Sequence, residues 1–204
     1  MKISYAITVC NELEEVKRLV NFLLLHKRKE DEIVILFDEK NGTDEVFNYI
    51  ESQVHDCEVF CEKFEGHFAD WKNLLTSHCT GDYIFQIDAD EIPHINLIQN
   101  LPEMLKTNDV DMLRIPRANT VEGLTQEHIH KWGWNVNEKG WVNWPDYQWR
   151  IYKNIPEIKW KNKVHEVLEG YKTLSLLPLH EDYSIYHPKT ITKQEKQNNY
   201  YETL

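Results

Sequence analysis

The first half of the sequence alternates short apolar runs with segments of helical period, and three of those runs end on acidic or amide side chains. Ile3 to Val9 reads as a buried strand leading into Cys10-Asn11-Glu12. Asn11 stands where it can cap a helix whose apolar positions, Leu13, Val16, Leu19, Val20, Leu23 and Leu24, keep helical spacing. Ile33 to Phe37 is a second apolar run; it ends at Asp38-Glu39 and is followed by the turn-rich Lys40 to Asp44 and a helical Val46 to Val54. Cys57 to Cys61 supplies a third strand and Phe68 to His78 a helix that Gly81 ends. Tyr83 to Ile87 is a further strand, running into Asp88-Ala89-Asp90-Glu91. Strands alternating with helices through short connections predict an α/β fold, a mostly parallel sheet flanked by helices. In such folds ligands sit at the carboxyl ends of the strands.

The 204 residues suit a single compact domain, and neither a Ser/Gly linker nor an internal repeat divides them. Beyond Pro93 the character changes. Asn96 to Leu105 reads as a helix and Asp111 to Pro116 as a strand, and six of the seven tryptophans fall between Trp132 and Trp160. Those rings either cover one face of the sheet or form a platform for a sugar or another flat ligand. Cys10, Cys57, Cys61 and Cys79 form no paired knuckles, so buried thiols are expected over a zinc ion shared by Cys57 and Cys61. The N-terminus has no secretory leader pattern and no apolar run approaches the ~20 residues of a membrane span, so the expected address is the cytoplasm.

A net charge of −11 repels nucleic acid unless one face is locally basic. Two cationic stretches stand out, His26-Lys27-Arg28-Lys29 and Lys153 through Lys163 continuing to Lys189, Lys193 and Lys196. Each is a solvated face or, if the second set converges, a surface for an anionic acceptor. Neither a Gly-x-Gly-x-x-Gly after the first strand nor a Gly-Lys-Ser/Thr loop occurs, which argues against a dinucleotide fold or a P-loop. Asp88 and Asp90 close an apolar strand, where hard oxygen donors suit Mg²⁺ or Mn²⁺ shared with substrate phosphates; a turn or helix cap is the competing reading.

The segment Gly66 to Glu91 carries Phe68-Ala69-Asp70-Trp71-Lys72-Asn73, then Thr80-Gly81-Asp82-Tyr83-Ile84-Phe85-Gln86-Ile87-Asp88-Ala89-Asp90-Glu91. It resembles family 2 glycosyltransferases with the GT-A (Rossmann-like) fold, as does Thr8-Val9-Cys10-Asn11-Glu12. Trp160 to Glu166 and Ile185-Tyr186-His187-Pro188-Lys189 are similar to the branch holding lipopolysaccharide-core glucosyltransferases and short phage-encoded glycosyltransferases. The resemblance implies a nucleotide-sugar-binding half over residues 1–92 and an acceptor-binding half with a C-terminal helix over 93–204. It implies that Asn11, Glu12 and Asp38 line a nucleoside pocket, that Lys72 lies near the nucleotide, and that the donor is a UDP-sugar. It further implies that Asp88 contacts ribose or completes a metal shell, and that Asp90 binds the ion, Mn²⁺ or Mg²⁺, directly. His187 is the third ligand, with His165 its rival.

Glu166 matches the catalytic acid residue of inverting members, where it would take the acceptor's proton; an exposed helix-start glutamate is the alternative. Arg150 holds diphosphate or acceptor, or else pairs with Asp146 or Glu157. The tryptophans at 132, 134, 141, 144 and 149 are candidates to stack on the acceptor, a saccharide or a hydroxymethylated base of phage DNA. The compartment is then the bacterial cytoplasm, or the host cytoplasm if the chain is phage-encoded. A nucleotidyltransferase and a non-catalytic carbohydrate-binding module are the other functions to weigh. The departures from the family pattern are the missing Pro before Cys10 and Phe37-Asp38-Glu39-Lys40-Asn41-Gly42-Thr43-Asp44 in place of D-D-G-S-T-D, and they leave the base preference open.

Overall fold

A computed structural model describes residues 1–201. Its first half runs β1 (Ile3–Val9), α1 (Leu13–His26), β2 (Glu32–Asp38), α2 (Asp44–Glu51), β3 (Glu58–Glu62), α3 (Phe68–His78) and β4 (Tyr83–Asp88). Then come β5 (Ile92–Pro93), α4 (Ile95–Asn108), β6 (Met112–Glu122), α5 (Gln126–Trp132) and β7 (Val142–Lys153). The chain continues through β8 (Lys159–Lys161), β9 (Val167–Glu169), β10 (Leu174–Leu176), β11 (Ile185–Thr190) and α6 (Ile191–Tyr201).

One sheet crosses the molecule in the order β3-β2-β1-β4-β7-β6-β11-β5, with β10 also paired to β6. The pairs β3–β2, β2–β1 and β1–β4 are parallel, as the alternation requires. β7 then enters antiparallel between β4 and β6, and β11 lies parallel to β6. β8 and β9 form a separate hairpin. Side chains alternate along each strand, so the sheet buries two apolar layers. Tyr5, Ile7 and Phe85 pack with Val16, Leu19 and Leu101 on one face. Ala6, Val34 and Ile84 pack with Ala69 and Leu75 of α3 on the other. With both faces covered, β1, β2 and β4 read as unbroken hydrophobic runs.

Several boundaries differ from expectation. α1 is preceded by Glu12 as its cap residue rather than Asn11, and no side chain caps it. The Glu12 carboxylate instead folds back to accept the backbone N–H groups of Cys10 and Asn11, both at 3.0 Å. α2 begins at Asp44, two residues early, because Asp44 and Glu45 complement the positive end of the helix, and it stops at Glu51. β6 continues past Pro116 to Glu122. Pro116 falls between the two stretches where that edge of β6 pairs, Met112–Arg114 with β10 and Arg117–Glu122 with β11, so its missing N–H interrupts no continuous ladder there. All four cysteines are free thiols, and burial pushes Cys57 and Cys79 up to about 12. Among the described residues no helix is long and apolar enough to cross a membrane.

Candidate active site

Parallel strands deliver their following loops to one edge, and a cavity of about 1080 Å³ opens at the carboxyl ends of β1, β2 and β4. Asn11, Glu12, Asp38, Lys72, Asp88, Asp90, Arg150, Glu166 and His187 all line it, together with His165. Five of the nine come from the first 88 residues and the rest from loops and strands of later segments, so the cavity exists only in the folded chain.

Asp38 is buried and spends its carboxylate on its own loop and on the segment after β3. Oδ1 accepts the Lys40 and Phe64 N–H groups at 2.9 and 3.1 Å, and Oδ2 accepts the Asn41 amide at 2.7 Å. Gly42 is required in that turn: its N–H donates to the Asp38 carbonyl at 2.8 Å, and a Cβ would sit 2.5 Å from the same oxygen. Asp38 therefore shapes the cavity wall.

Asp88 is held from the second half of the chain. Antiparallel pairing of β4 with β7 sets Phe85 opposite Ile151, which carries Arg150 beside Gln86. Arg150 Nη2 reaches Asp88 Oδ2 at 2.5 Å and Glu91 Oε1 at 2.6 Å, while Nη1 donates to Gln86 at 2.7 Å. Arg150 thus pairs with these side chains and not with Asp146 or Glu157, the partners offered by the competing reading. Asp146 pairs with Arg117 instead, at 2.8 Å. Arg150 is 3% exposed and its guanidinium is engaged by Gln86, Asp88 and Glu91. Burial pushes the Asp88 carboxyl up, but attraction to Arg150 and then Lys72 outweighs it and holds the group well below the usual range.

Asp90 faces a different set. Its Oδ2 lies 3.4 Å from His187 Nε2 and 3.2 Å from Lys193 Nζ on α6. Burial again raises this carboxyl, and His187 and Lys193 more than reverse it. Among the described residues no three His, Cys, Asp or Glu side chains gather closely enough to hold a metal ion. Of the expected Asp88–Asp90–His187 set, Asp90 and His187 face each other, while Asp88 Oδ2 is engaged by Arg150. That pair fits Mg²⁺ or Mn²⁺, ions that keep several waters and take further oxygens from substrate phosphates.

Glu166 sits in the β8–β9 hairpin, directly after His165, whose backbone is left-handed at φ 55. Adjacent residues of α3 anchor the hairpin. Asn73 both donates to and accepts from the Trp160 backbone at 2.9 Å, and Lys72 Nζ lies 3.2 Å from Glu166 Oε1 and 4.6 Å from the Trp160 ring centre. Lys72 thus bears on Glu166, and Glu166 lies in an irregular loop rather than at a helix start.

The tryptophans divide. Trp134 and Trp149 line the cavity, as do Trp71 and Trp160. Trp141 and Trp144 meet at a tilt, their centres 4.6 Å apart, over a separate hollow, and Trp132 stacks on His128 and touches Trp134. The second cationic set divides too. Lys189, Lys193 and Lys196 line the cavity, whereas Lys153 is paired with Asp109 and Asp111. Sequence reading missed Arg117 and Asn119, two further cavity residues. The signal was available: they follow Ile115 at strand period two, hidden by ending the strand at Pro116.

The family model described as glycosyl transferase family 2 matches residues 4–175. No curated protein sequence matches the chain significantly. Among solved structures, the fold is similar to S. aureus TarS 1-349 in complex with UDP-GlcNAc, with 15% identity, TM-score 0.63, and 93% of this chain and 59% of that one covered. The complex of TarS 1-349 with UDP gives 16% identity and TM-score 0.62, covering 92% and 60%. S. aureus TarS itself gives 15% and 0.61, covering 97% of this chain and 38% of that one. The chain therefore spans about 60% of the length of TarS 1-349. At these identities the likeness speaks for the shared GT-A architecture alone.

Proposed function

The chain belongs to glycosyl transferase family 2, and from that premise we propose that it moves a sugar from a nucleotide-sugar to an acceptor hydroxyl within the carboxyl-end cavity. The observation that carries this reading is the convergence of Asp90 with His187, and of Glu166 with Lys72, on one cavity wide enough for a nucleotide-sugar and an acceptor. A nucleotidyltransferase would need a Gly-rich triphosphate loop after β1, and Cys10-Asn11-Glu12 offers none.

In this reading Glu166 accepts the proton of the acceptor hydroxyl as its oxygen attacks the anomeric carbon. The bond from that carbon to the diphosphate oxygen breaks, and the nucleoside diphosphate leaves with the electron pair. A single displacement of this kind inverts the anomeric configuration. Lys72 orients the Glu166 carboxylate through the 3.2 Å contact. Asp90 and His187 would hold a divalent cation, which when bound would supply charge neutralisation for the diphosphate, and Lys193 brings a further positive charge to the same end. Arg150 and Glu91 keep Asp88 in place at the nucleotide side.

UDP-GlcNAc is the first donor to try, because TarS was crystallised with it. A saccharide is the favoured acceptor: Trp134 and Trp149 line the cavity with Asp146 and Gln148 as polar neighbours, while Lys153 lies outside it, paired with Asp109 and Asp111. A base in duplex DNA would also have to be flipped out. Donor turnover with Mn²⁺ and UDP-sugars tests the mechanism. Glu166→Gln is expected to lose about 10²- to 10⁴-fold in kcat, and Asp90→Ala at least as much. Turnover unchanged in both variants overturns the assignment, and transfer to hydroxymethylated DNA but to no saccharide overturns the acceptor class.

A further inference from the structure

Parallel pairing of β6 with β11 sets Asn119 opposite His187, and pairing of β6 with β7 sets Arg117 opposite Asp146. The side chains complete a chain of contacts. Arg117 Nε donates to Asp146 Oδ2 at 2.9 Å, Asn119 Nδ2 donates to the same oxygen at 2.9 Å, and Asn119 Oδ1 meets His187 Nδ1 at 2.8 Å. The amide cannot turn over without cost. A carboxylate paired with Arg117 only accepts, so the Asn119 NH₂ must face Asp146 and its oxygen must face the imidazole. That oxygen also only accepts, so His187 Nδ1 carries the hydrogen. In the neutral ring the lone pair is then on Nε2, the atom 3.4 Å from Asp90; in the imidazolium Nε2 carries a second hydrogen toward Asp90, and a cation takes that proton's place.

We infer that Asn119, backed by Asp146 and Arg117, is a positioning residue for His187: it fixes the ring so that Nε2 is offered, unprotonated, to a cation shared with Asp90. This rests on the proposal that Asp90 and His187 hold the ion. In the opposite tautomer an Nε2–H would point at Asp90 and close the site with a hydrogen bond. Partners that orient a metal-bound histidine in this way are worth about 10- to 100-fold in metal affinity.

The test reads the tautomer first. Long-range ¹⁵N–¹H spectra of the imidazoles, recorded above the ordinary histidine range with and without Mg²⁺, are expected to show His187 protonated on Nδ1, its signals identified by their loss in His187→Gln. Mn²⁺ titration of the same proteins, followed by electron paramagnetic resonance, is expected to give a 10- to 100-fold weaker Kd in Asn119→Leu. The Asn119→Leu spectrum should show hydrogen on Nε2. Asp146→Asn should keep the wild-type tautomer, since its carbonyl can still accept from Arg117 and Asn119. Hydrogen on Nε2 in the wild type overturns the inference without any variant and leaves the metal proposal standing. Asn119→Leu with unchanged tautomer and unchanged Mn²⁺ affinity also overturns it. A wild type that binds no Mn²⁺ overturns the metal proposal and removes this role for Asn119, whatever the tautomer.

Discussion

The two ends of β1, β2 and β4 carry the same residue types and use them differently. At the amino ends Glu32 accepts from Lys2 Nζ and Ser4 Oγ, both at 2.5 Å, and from the Thr80 N–H at 2.7 Å. Asp31 beside it accepts the Ile3 N–H at 2.9 Å and pairs with Arg28 at 2.6 Å. These partners all lie within the first half of the chain, and they tie strand to strand. At the carboxyl ends Asp88 and Asp90 are met by Arg150, His187 and Lys193, and they border a cavity of about 1080 Å³. Acidic strand ends are thus not a functional signal by themselves. What separates the two edges is an open volume and partners that only the second half of the chain supplies.

Chelation should separate the edges most sharply. Stripping divalent ions from the wild type with EDTA is expected to lower transfer by more than 10²-fold, restored by Mn²⁺, with thermal unfolding of the free protein unmoved. Turnover that resists chelation would remove the cation from the account. The next effect falls on a carboxyl-end residue that is structural. Glu91 is fully buried between Arg117 at 3.1 Å and Arg150 at 2.6 Å. Glu91→Leu takes the shared carboxylate from two guanidinium groups, leaving Arg117 to Asp146 and Arg150 to Asp88, and should cost about 3 kcal/mol in denaturant unfolding. A loss under about 1 kcal/mol would mean that the arginines find other partners.

Smallest is the amino-end clamp, where charge-assisted hydrogen bonds suggest about 1–3 kcal/mol for Glu32→Gln at neutral pH, with kcat retained. Its pH dependence has a definite sign. Burial raises the Glu32 carboxyl, but Lys2, Ser4 and Thr80 bring it down to about 2, against an ordinary glutamate near ~4.3. The stabilisation is complete above the ordinary value and is lost as the pH falls through about 2. The melting-temperature gap between wild type and Glu32→Gln should therefore be full at pH 7 and shrink across that acidic window. A gap that stays constant would show that the charge contributes nothing.

How much of this is legible in the sequence follows the same division. Apolar runs fix β1, β2 and β4, and the polar residues after them mark the edge on which the cavity opens, because parallel strands leave no other place for their loops. Contacts set by antiparallel register are harder to read. Nothing near Arg150 in sequence points to Gln86, Asp88 and Glu91, which reach it only through the β4–β7 pairing. Arg117 and Asn119 were hidden for another reason: Pro116 looks like a strand end, and only the gap between β10 and β11 lets the strand run through it. The tryptophan cluster read as one feature divides, since Trp141 and Trp144 meet over a separate hollow, while of the expected five Trp134 and Trp149 alone line the cavity, Trp132 packing behind Trp134.

In the proposed function the carboxyl-end cavity takes a nucleoside diphosphate with a divalent cation while the amino-end clamp only stabilises. Thermal unfolding of wild type, Asp90→Ala and Glu32→Gln, each with and without UDP and Mn²⁺, tests it directly. A ligand at about 100 times its Kd adds about 2.7 kcal/mol to the state that binds it. The wild type and Glu32→Gln should both gain that increment when UDP and Mn²⁺ are present together, the variant starting from a lower melting temperature, and Asp90→Ala should gain none. An equal gain in Asp90→Ala, or no gain in the wild type with any nucleoside diphosphate, would contradict the account.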